Sequence, residues 1–150
     1  NICISVNPFQ WLNIYNKNYK GAHVFRILED VLRNTTDQTI IISGESGSGK
    51  TECVKICLKY FMDIEYVNNL DVMQKILSSG PILEYFGNAA TCRNKNSSRF
   101  GKFIKLQVHE NNNITAIYKT FLLEKSRVIS AKENEDYNYH IFEAICLKKK

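Results

Sequence analysis

A glycine-rich segment of the chain has the residue types and spacing to bind phosphate groups. It reads Gly44-Glu45-Ser46-Gly47-Ser48-Gly49-Lys50-Thr51, a full match to the G-x-x-x-x-G-K-[ST] pattern. Glycines let the backbone curl so that successive N–H groups point at phosphate oxygens. We expect Lys50 to reach the β- and γ-phosphates and the Thr51 hydroxyl to ligate Mg²⁺. We call residues 44–51 the phosphate loop.

A second polar segment, further along the chain, could contact the γ-phosphate of a bound nucleotide. We call this segment the sensor loop. It consists of Asn94-Lys95-Asn96-Ser97-Ser98-Arg99-Phe100-Gly101-Lys102. Its serine hydroxyls can ligate Mg²⁺ or orient an attacking water, and the Asn94 amide can donate to phosphate oxygens. Arg99 can hold a carboxylate that closes the site. By composition the segment is also compatible with an ordinary polar loop, so both interpretations stay open at this point.

The elements that position these loops are predicted from the hydrophobic pattern. Residues 39–43 form a short β-branched run that predicts a buried strand leading into the phosphate loop. A helix over about 49–62 would follow, with its positive N-terminal end at the phosphates. The side chains expected to face inward are Val54, Cys57, Leu58 and Phe61. Strand, glycine-rich loop and helix in this order are the context in which the pattern binds phosphate.

The rest of the chain predicts an α/β fold with a mixed sheet flanked by helices. Residues 103–108 alternate as a half-exposed strand, and 114–118 can return antiparallel after a turn at 110–113. Residues 121–129 are compatible with strand or helix. Further helices are predicted over residues 22–33, 72–78, 81–86 (beginning at Pro81) and 140–149.

Composition narrows the class of protein. The 150 residues suffice for one domain, and the hydrophobic fraction of 44% is typical of globular proteins. No apolar run approaches the roughly 20 residues of a membrane span, and the first residues do not resemble a signal peptide. Five cysteines without paired-ligand spacing argue against a disulfide framework or a zinc site. The net charge of +5 comes partly from residues 148–150; such a run could contact an acidic filament or nucleic acid, but we interpret it as a solvated helix end or a cut point.

With these motifs in place, the sequence resembles a myosin motor (head) domain. The phosphate loop and its flanks, residues 40–52, closely resemble the corresponding myosin sequence, and the sensor loop resembles myosin switch I. Kinesins share the Asn-x-x-Ser-Ser-Arg core but continue with Ser-His, where this chain has Phe100-Gly101-Lys102. The adenine-side segment of myosins is matched by residues 7–15, with Asn7, Pro8 and Tyr15 in corresponding places. Three further blocks agree: residues 81–89, 122–128 and 138–142.

The resemblance implies a P-loop NTPase core that binds ATP and Mg²⁺. Lys50 and Thr51 would then bind phosphate and Mg²⁺, Ser98 would bind Mg²⁺, and Asn94 and Ser97 would contact the γ-phosphate side. Arg99 would pair with a glutamate of switch II, which we expect outside these residues. It also implies a cytoplasmic parent motor that acts on actin filaments of the cytoskeleton, with light chains on a lever absent here.

Departures from the family pattern suggest a divergent class; they are Gln10, Gly80, Asp136-Tyr137 and Glu143. We expect residues 1–150 to be one motor-domain fragment, with switch II and later parts absent, little ATPase activity of its own and marginal stability. Two alternatives stay open: a P-loop kinase or GTPase, and a nucleotide-binding remnant that does not hydrolyse. Against the first, the chain has no Asn/Thr-Lys-x-Asp motif of guanine binding.

Overall fold

The structure is a computed structural model that describes residues 2–15, 18–63, 68, 70–129 and 137–147. Its helices are α1 (Val24–Arg33), α2 (Lys50–Asp63), α3 (Leu70–Gly87), α4 (Ser126–Ile129) and α5 (His140–Leu147). Its strands are β1 (Asn88–Ala89), β2 (Ser97–Ser98), β3 (Gly101–Val108) and β4 (Ile114–Phe121). The chain is therefore a mixed α/β structure. No helix in the described ranges combines the length and apolar character needed to cross a membrane.

The strand pair after the sensor loop forms as predicted. Strands β3 and β4 are antiparallel, from Gly101 opposite Phe121 to Val108 opposite Ile114. Asn112 makes the turn with a positive φ of 57°, and its N–H donates to the His109 carbonyl at 2.9 Å. Asparagine adopts this left-handed conformation more readily than most residues. One face of the hairpin is half-buried and the other exposed, as the alternation predicts.

Helix α2 lies between two small apolar cores. On one side Phe25 and Leu28 of α1 pack with Cys57 and Tyr60 of α2, and the Phe25 and Tyr60 rings stack at 4.5 Å. On the other side, Leu58 of α2 packs with Met73 of α3 and Ile114 of β4, and the Met73 side chain is completely buried. The inward positions predicted for α2 are confirmed, since Cys57 and Leu58 are buried and Val54 and Phe61 are half-buried. This packing fixes the helix that begins at the phosphate loop.

The prediction of a buried strand over residues 39–43 is wrong. These residues form no strand, and Ile41 is 85% exposed although Ile40 packs against the first core. A strand needs a neighbour for its backbone N–H and C=O groups. In the part of the chain that the structure describes, β1 pairs with β2 and β3 with β4, both antiparallel. The predicted mixed sheet is therefore absent from these described residues.

The two helices predicted over 72–78 and 81–86 are a single helix, α3, with Pro81 inside it. Pro81 cannot donate a backbone hydrogen bond within the helix, which normally favours a break. Two serine hydroxyls in the preceding turn donate to helix carbonyls, Ser78 to Lys75 at 3.1 Å and Ser79 to Ile76 at 2.7 Å. Packing of α3 against α2 and α5 outweighs the local signal.

The C-terminal end of α3 provides a test of this packing. A Cβ on Gly87 would overlap the Phe100 ring of the sensor loop, whereas one on Gly80 meets nothing within 4 Å. We expect Gly87→Ala to lower the free energy of unfolding by about 1–3 kcal/mol, the usual cost of overpacking. The matched Gly80→Ala should change it by less than about 1 kcal/mol, because the helix preference of alanine is opposed by contact of its Cβ with the ring of the following Pro81. Urea unfolding measures both, and equal effects of the two changes would contradict the contact.

Candidate functional site

The phosphate loop leads directly into α2. Gly47 and Gly49 have φ values of 81° and 91°, a region that side chains with a Cβ rarely adopt. The helix begins at Lys50, and its first backbone bond runs from the Cys53 N–H to the Gly49 carbonyl at 2.9 Å. The predicted helix over 49–62 is thereby confirmed. The loop is held at the end of a helix whose N–H groups and dipole favour an anion.

The Lys50 ammonium is turned onto the phosphate loop itself. Its Nζ donates to the carbonyl oxygens of Gly44 and Glu45, both at 2.6 Å. These are short, charge-assisted bonds that hold a positive charge beside the loop. An incoming phosphate would compete with the two carbonyls for the same ammonium protons. The donor set fits an anion, because it combines a lysine, a helix N-terminus and glycines in left-handed conformations.

Among the adenine-side residues, Asn7 reaches the phosphate loop. Its Nδ2 donates to the Gly47 carbonyl at 2.9 Å, while its Oδ1 accepts from the Phe9 N–H at 2.9 Å. Pro8 follows it in an exposed position. Tyr15 lies in an aromatic group instead, with ring centroids 4.5 Å from Trp11 and 5.7 Å from His23. The structure therefore connects Asn7 to the loop, and it connects Tyr15 to α1 through His23.

The sensor loop meets the phosphate loop at a pair of serines. Strand β2 pairs with β1, with Ala89 opposite Ser97, and this places Ser97 at a site where it is 2% exposed. The Ser97 and Ser46 hydroxyls are 2.8 Å apart, although 51 positions separate the residues along the chain. Asn94 is close as well, since a Cβ on Gly47 would lie 3.8 Å from its Nδ2. Two of the predicted γ-phosphate residues therefore lie beside the phosphate loop.

The two hydroxyls predicted to ligate Mg²⁺ occupy different surroundings. Thr51 lies half-buried in the first turn of α2, directly after Lys50. Ser98 is half-buried on β2, and its hydroxyl donates to the Phe100 carbonyl at 3.4 Å. This bond is long enough to exchange readily for a stronger partner. Hydroxyl oxygens and phosphates are ligands that Mg²⁺ accepts, so both residue types fit the predicted role.

Arg99 has a carboxylate partner within this chain, Glu124, while its expected pairing with a glutamate of switch II stays a prediction. Its Nε donates to Glu124 Oε2 at 2.5 Å, and its Nη1 donates to the Ser97 hydroxyl at 3.4 Å. The same Glu124 oxygen accepts from Arg127 Nε at 2.9 Å. Sequence reasoning named Arg99 but missed Glu124 and Arg127. A signal existed, because both belong to the block 122–128 that resembles the motor family.

A second polar group anchors the sensor loop through Asn96. The Asn96 Oδ1 accepts from Asn88 Nδ2 at 2.9 Å and lies 3.2 Å from His140 Nε2. Its Nδ2 donates to Glu84 at 3.3 Å. These contacts tie the loop to α3, β1 and α5. Residue types alone give no indication of this group, because polar residues 8, 12 and 44 positions from Asn96 form no recognisable sequence pattern.

The two arginines decide the charge of Glu124. Partial burial acts to raise its pKa, but the hydrogen bonds and positive charges of Arg99 and Arg127 outweigh it and lower the pKa to about 2. Glu124 therefore stays ionised throughout the physiological range. Its side chain is 28% exposed, so solvent screens the pair only in part.

The lowered pKa of Glu124 predicts an acid-dependent loss of stability. Its contribution is full above the ordinary pKa of 4.5 and disappears as the pH falls towards about 2, because the unfolded chain binds the proton more tightly. The midpoint of urea unfolding should fall between pH 5 and about 3, and Glu124→Gln should flatten this dependence. An equally steep dependence in the variant would contradict the assignment.

Comparison with known proteins assigns the whole chain to one family. The model of the myosin head (motor domain) matches residues 1–150. The chain is 42% identical to Myosin-1 of Arabidopsis thaliana over 97% of its length, which is 13% of that protein. It is 41% identical to unconventional myosin-Vc of Homo sapiens over 97% of its length, or 9% of the relative. It is 39% identical to unconventional myosin-Va of Rattus norvegicus over 99% of its length, which is 9% of that protein. The chain thus spans only about a tenth of the length of these curated relatives.

Proposed function

We propose, from the premise that this chain belongs to the myosin head (motor domain) family, that it is the ATP-binding part of an actin-based motor. The observation that carries the proposal is the 2.8 Å contact between Ser46 of the phosphate loop and Ser97 of the sensor loop. It brings together the two segments that are predicted to surround a γ-phosphate. A polar surface loop without a function has no need for such a partly buried contact across 51 positions of the chain.

In this proposal each side chain has a defined task. Lys50 leaves the Gly44 and Glu45 carbonyls and donates to the β- and γ-phosphates, while the loop N–H groups and the N-terminus of α2 hold the remaining oxygens. Asn7 supports the loop through the Gly47 carbonyl. The proposed phosphate-loop set is Gly44, Glu45, Ser46, Gly47, Ser48, Gly49, Lys50 and Thr51.

The sensor loop and the adenine-side segment complete the proposed site. Thr51 and Ser98 hold Mg²⁺, which neutralises charge on the phosphates when it is bound. Asn94 and Ser97 donate to the γ-phosphate side, and Arg99 holds the sensor loop in position. Pro8 and Tyr15, with Asn7, form the adenine side. The protein contributes positioning and charge stabilisation, which are the main requirements of phosphoryl transfer.

The proposed activity of the whole motor goes beyond this chain. The parent protein would hydrolyse MgATP in the cytoplasm and couple phosphate release to sensor-loop movement and force on actin filaments. Actin and light-chain contacts would come from other parts of that protein. For the 150 residues themselves we propose weak turnover and marginal stability. Large exposed apolar side chains such as Trp11, Ile41 and Leu122 support the proposed marginal stability, because they reduce the apolar area buried on folding.

Equilibrium binding of fluorescent ATP and GTP analogues to the chain, with and without Mg²⁺, tests the proposal. We expect saturable, Mg²⁺-dependent binding that unlabelled ATP displaces at lower concentration than GTP does. A preference for GTP would favour a P-loop protein of another class, and the absence of binding would overturn the proposal. Single-turnover hydrolysis in the same samples separates a hydrolysing fragment from a non-hydrolysing remnant.

A further inference from the structure

We infer that Glu124 is a positioning residue: it holds Arg99, and through Arg99 it orients the Ser97 hydroxyl against the phosphate loop. The inference deepens the proposed function and rests on it. Glu124 lies outside both loops, in the segment between β4 and α4, and the sequence motifs assign it no role in the site.

Glu124 is joined to Arg99 by main chain and side chain together. The Glu124 N–H donates to the Arg99 carbonyl at 3.1 Å, and the side chains meet at 2.5 Å. Arg99 is also bonded to the end of α3, because its main-chain N–H donates to the Gly87 carbonyl at 2.9 Å. Arg99 is therefore fixed between the end of α3 and the segment after β4. A pair anchored at both backbone and side chain loses less side-chain entropy than an ordinary surface ion pair.

The Glu124 carboxylate is itself held in one orientation. Arg127, which is 5% exposed, donates to Oε2, and the Ser126 hydroxyl donates to Oε1 at 3.3 Å. Arg127 also donates through Nη1 to the Tyr137 carbonyl at 2.8 Å. The Tyr139 hydroxyl donates to the main-chain carbonyl of Glu124 at 2.7 Å. These contacts set the direction from which Arg99 approaches.

The contact between Arg99 and Ser97 affects the site because it orients the hydroxyl proton of Ser97. Arg99 Nη1 has no lone pair and donates to the Ser97 oxygen at 3.4 Å. The Ser97 proton is then free to point at Ser46 Oγ, 2.8 Å away, or at a phosphate oxygen in that direction. Ser97 is buried, so this orientation has little competition from solvent. Glu124 thus acts on the site through Arg99, without contact to the phosphate loop.

A purely structural ion pair would have a different signature. Loss of a structural pair weakens the whole fold and reduces the affinity for every nucleotide alike. Loss of a positioning residue disturbs the sensor loop locally. It therefore reduces the affinity for ATP, which carries the γ-phosphate, more than the affinity for ADP.

The test compares the wild-type chain with Glu124→Gln, which keeps the shape and removes the charge. The matched control is Glu110→Gln at the exposed hairpin turn. We expect the ratio of ATP to ADP affinity to fall about tenfold in Glu124→Gln only, the effect of weakening one charge-assisted hydrogen bond. Amide hydrogen exchange of the free chain should accelerate about tenfold more at Ser97–Ser98 than in α2, where only the loss of global stability contributes.

If Glu124→Gln does not fold, Arg99→Lys replaces it, because lysine keeps the charge but lacks the fork that reaches both Glu124 and Ser97. An unchanged ATP to ADP ratio, or exchange that accelerates everywhere alike, would overturn the inference. If the wild-type chain binds neither nucleotide, the proposed function and the effect on ATP are both wrong. Exchange at Ser97–Ser98 then decides whether Glu124 holds the loop.

Discussion

Replacement of Lys50 by alanine should weaken ATP binding at least about a hundredfold, which corresponds to the loss of a charge-assisted contact of about 3 kcal/mol. Lys50 carries the positive charge held closest to the phosphate loop, with its Nζ 2.6 Å from the Gly44 and Glu45 carbonyls. In the proposed complex this ammonium moves to the phosphates. No neighbouring uncharged group replaces its Coulomb attraction for them. Titration with a fluorescent ATP analogue measures the effect.

Lys59→Ala is the control for this substitution, because Lys59 lies exposed on the same helix, far along α2 from the loop. It removes the same charge from the chain, so it corrects for a change in net charge. Both variants should keep the helical circular dichroism of the wild type. ATP affinity in Lys50→Ala equal to that in Lys59→Ala would remove the phosphate loop from the binding site.

Arg127→Met should lower the free energy of unfolding by about 1–3 kcal/mol, the cost of removing one buried partner from a hydrogen-bonded network. Arg127 is almost fully buried, and it donates to Glu124 and to the Tyr137 carbonyl. Methionine fills similar space but leaves both acceptors with one donor fewer. Because domains of this size are only marginally stable, the loss should be visible as partial unfolding in water. Urea unfolding followed by fluorescence or circular dichroism measures it.

The control for Arg127 is Arg93→Met, at an exposed position shortly before the sensor loop, which should change stability by less than about 0.5 kcal/mol. A second comparison tests the cause of the effect. Glu124→Gln should cost less stability in the Arg127→Met background than in the wild type, because the carboxylate has already lost one partner. Equal unfolding midpoints for Arg127→Met and Arg93→Met would contradict the buried pair.

Elements determined by local pattern were predictable from the sequence. Helix α2 and the β3–β4 hairpin follow from apolar spacing and a polar turn, and their predicted segments agree with the structure. The strand over 39–43 was not predictable in the same way, because a strand depends on partners distant in the chain. In α3, Pro81 predicted the start of a separate helix, but packing of the helix against its neighbours outweighed this signal.

The two loops of the site were predictable from the sequence, but the residues that hold the sensor loop in place were not. The phosphate loop has a pattern of its own, whereas the sensor loop needed a family resemblance to separate it from any polar loop. Glu124 follows from the register of the hairpin: Gly101 lies opposite Phe121, so the chain beyond the strand ends brings Arg99 beside Glu124. A sequence gives the two strands but leaves their register open by a residue or two, and that shift decides which side chains meet.

In the proposed complex, MgATP binds between the phosphate loop and the sensor loop of this chain. The most direct measurement is a titration of the ¹⁵N-labelled chain with Mg²⁺ and a non-hydrolysable ATP analogue, followed by amide chemical shifts. We expect the largest shifts at Gly47, Lys50 and Ser97, with smaller shifts at Ser97 when ADP replaces the analogue. Shifts confined to other parts of the chain, or equal shifts at Ser97 with both ligands, would contradict it.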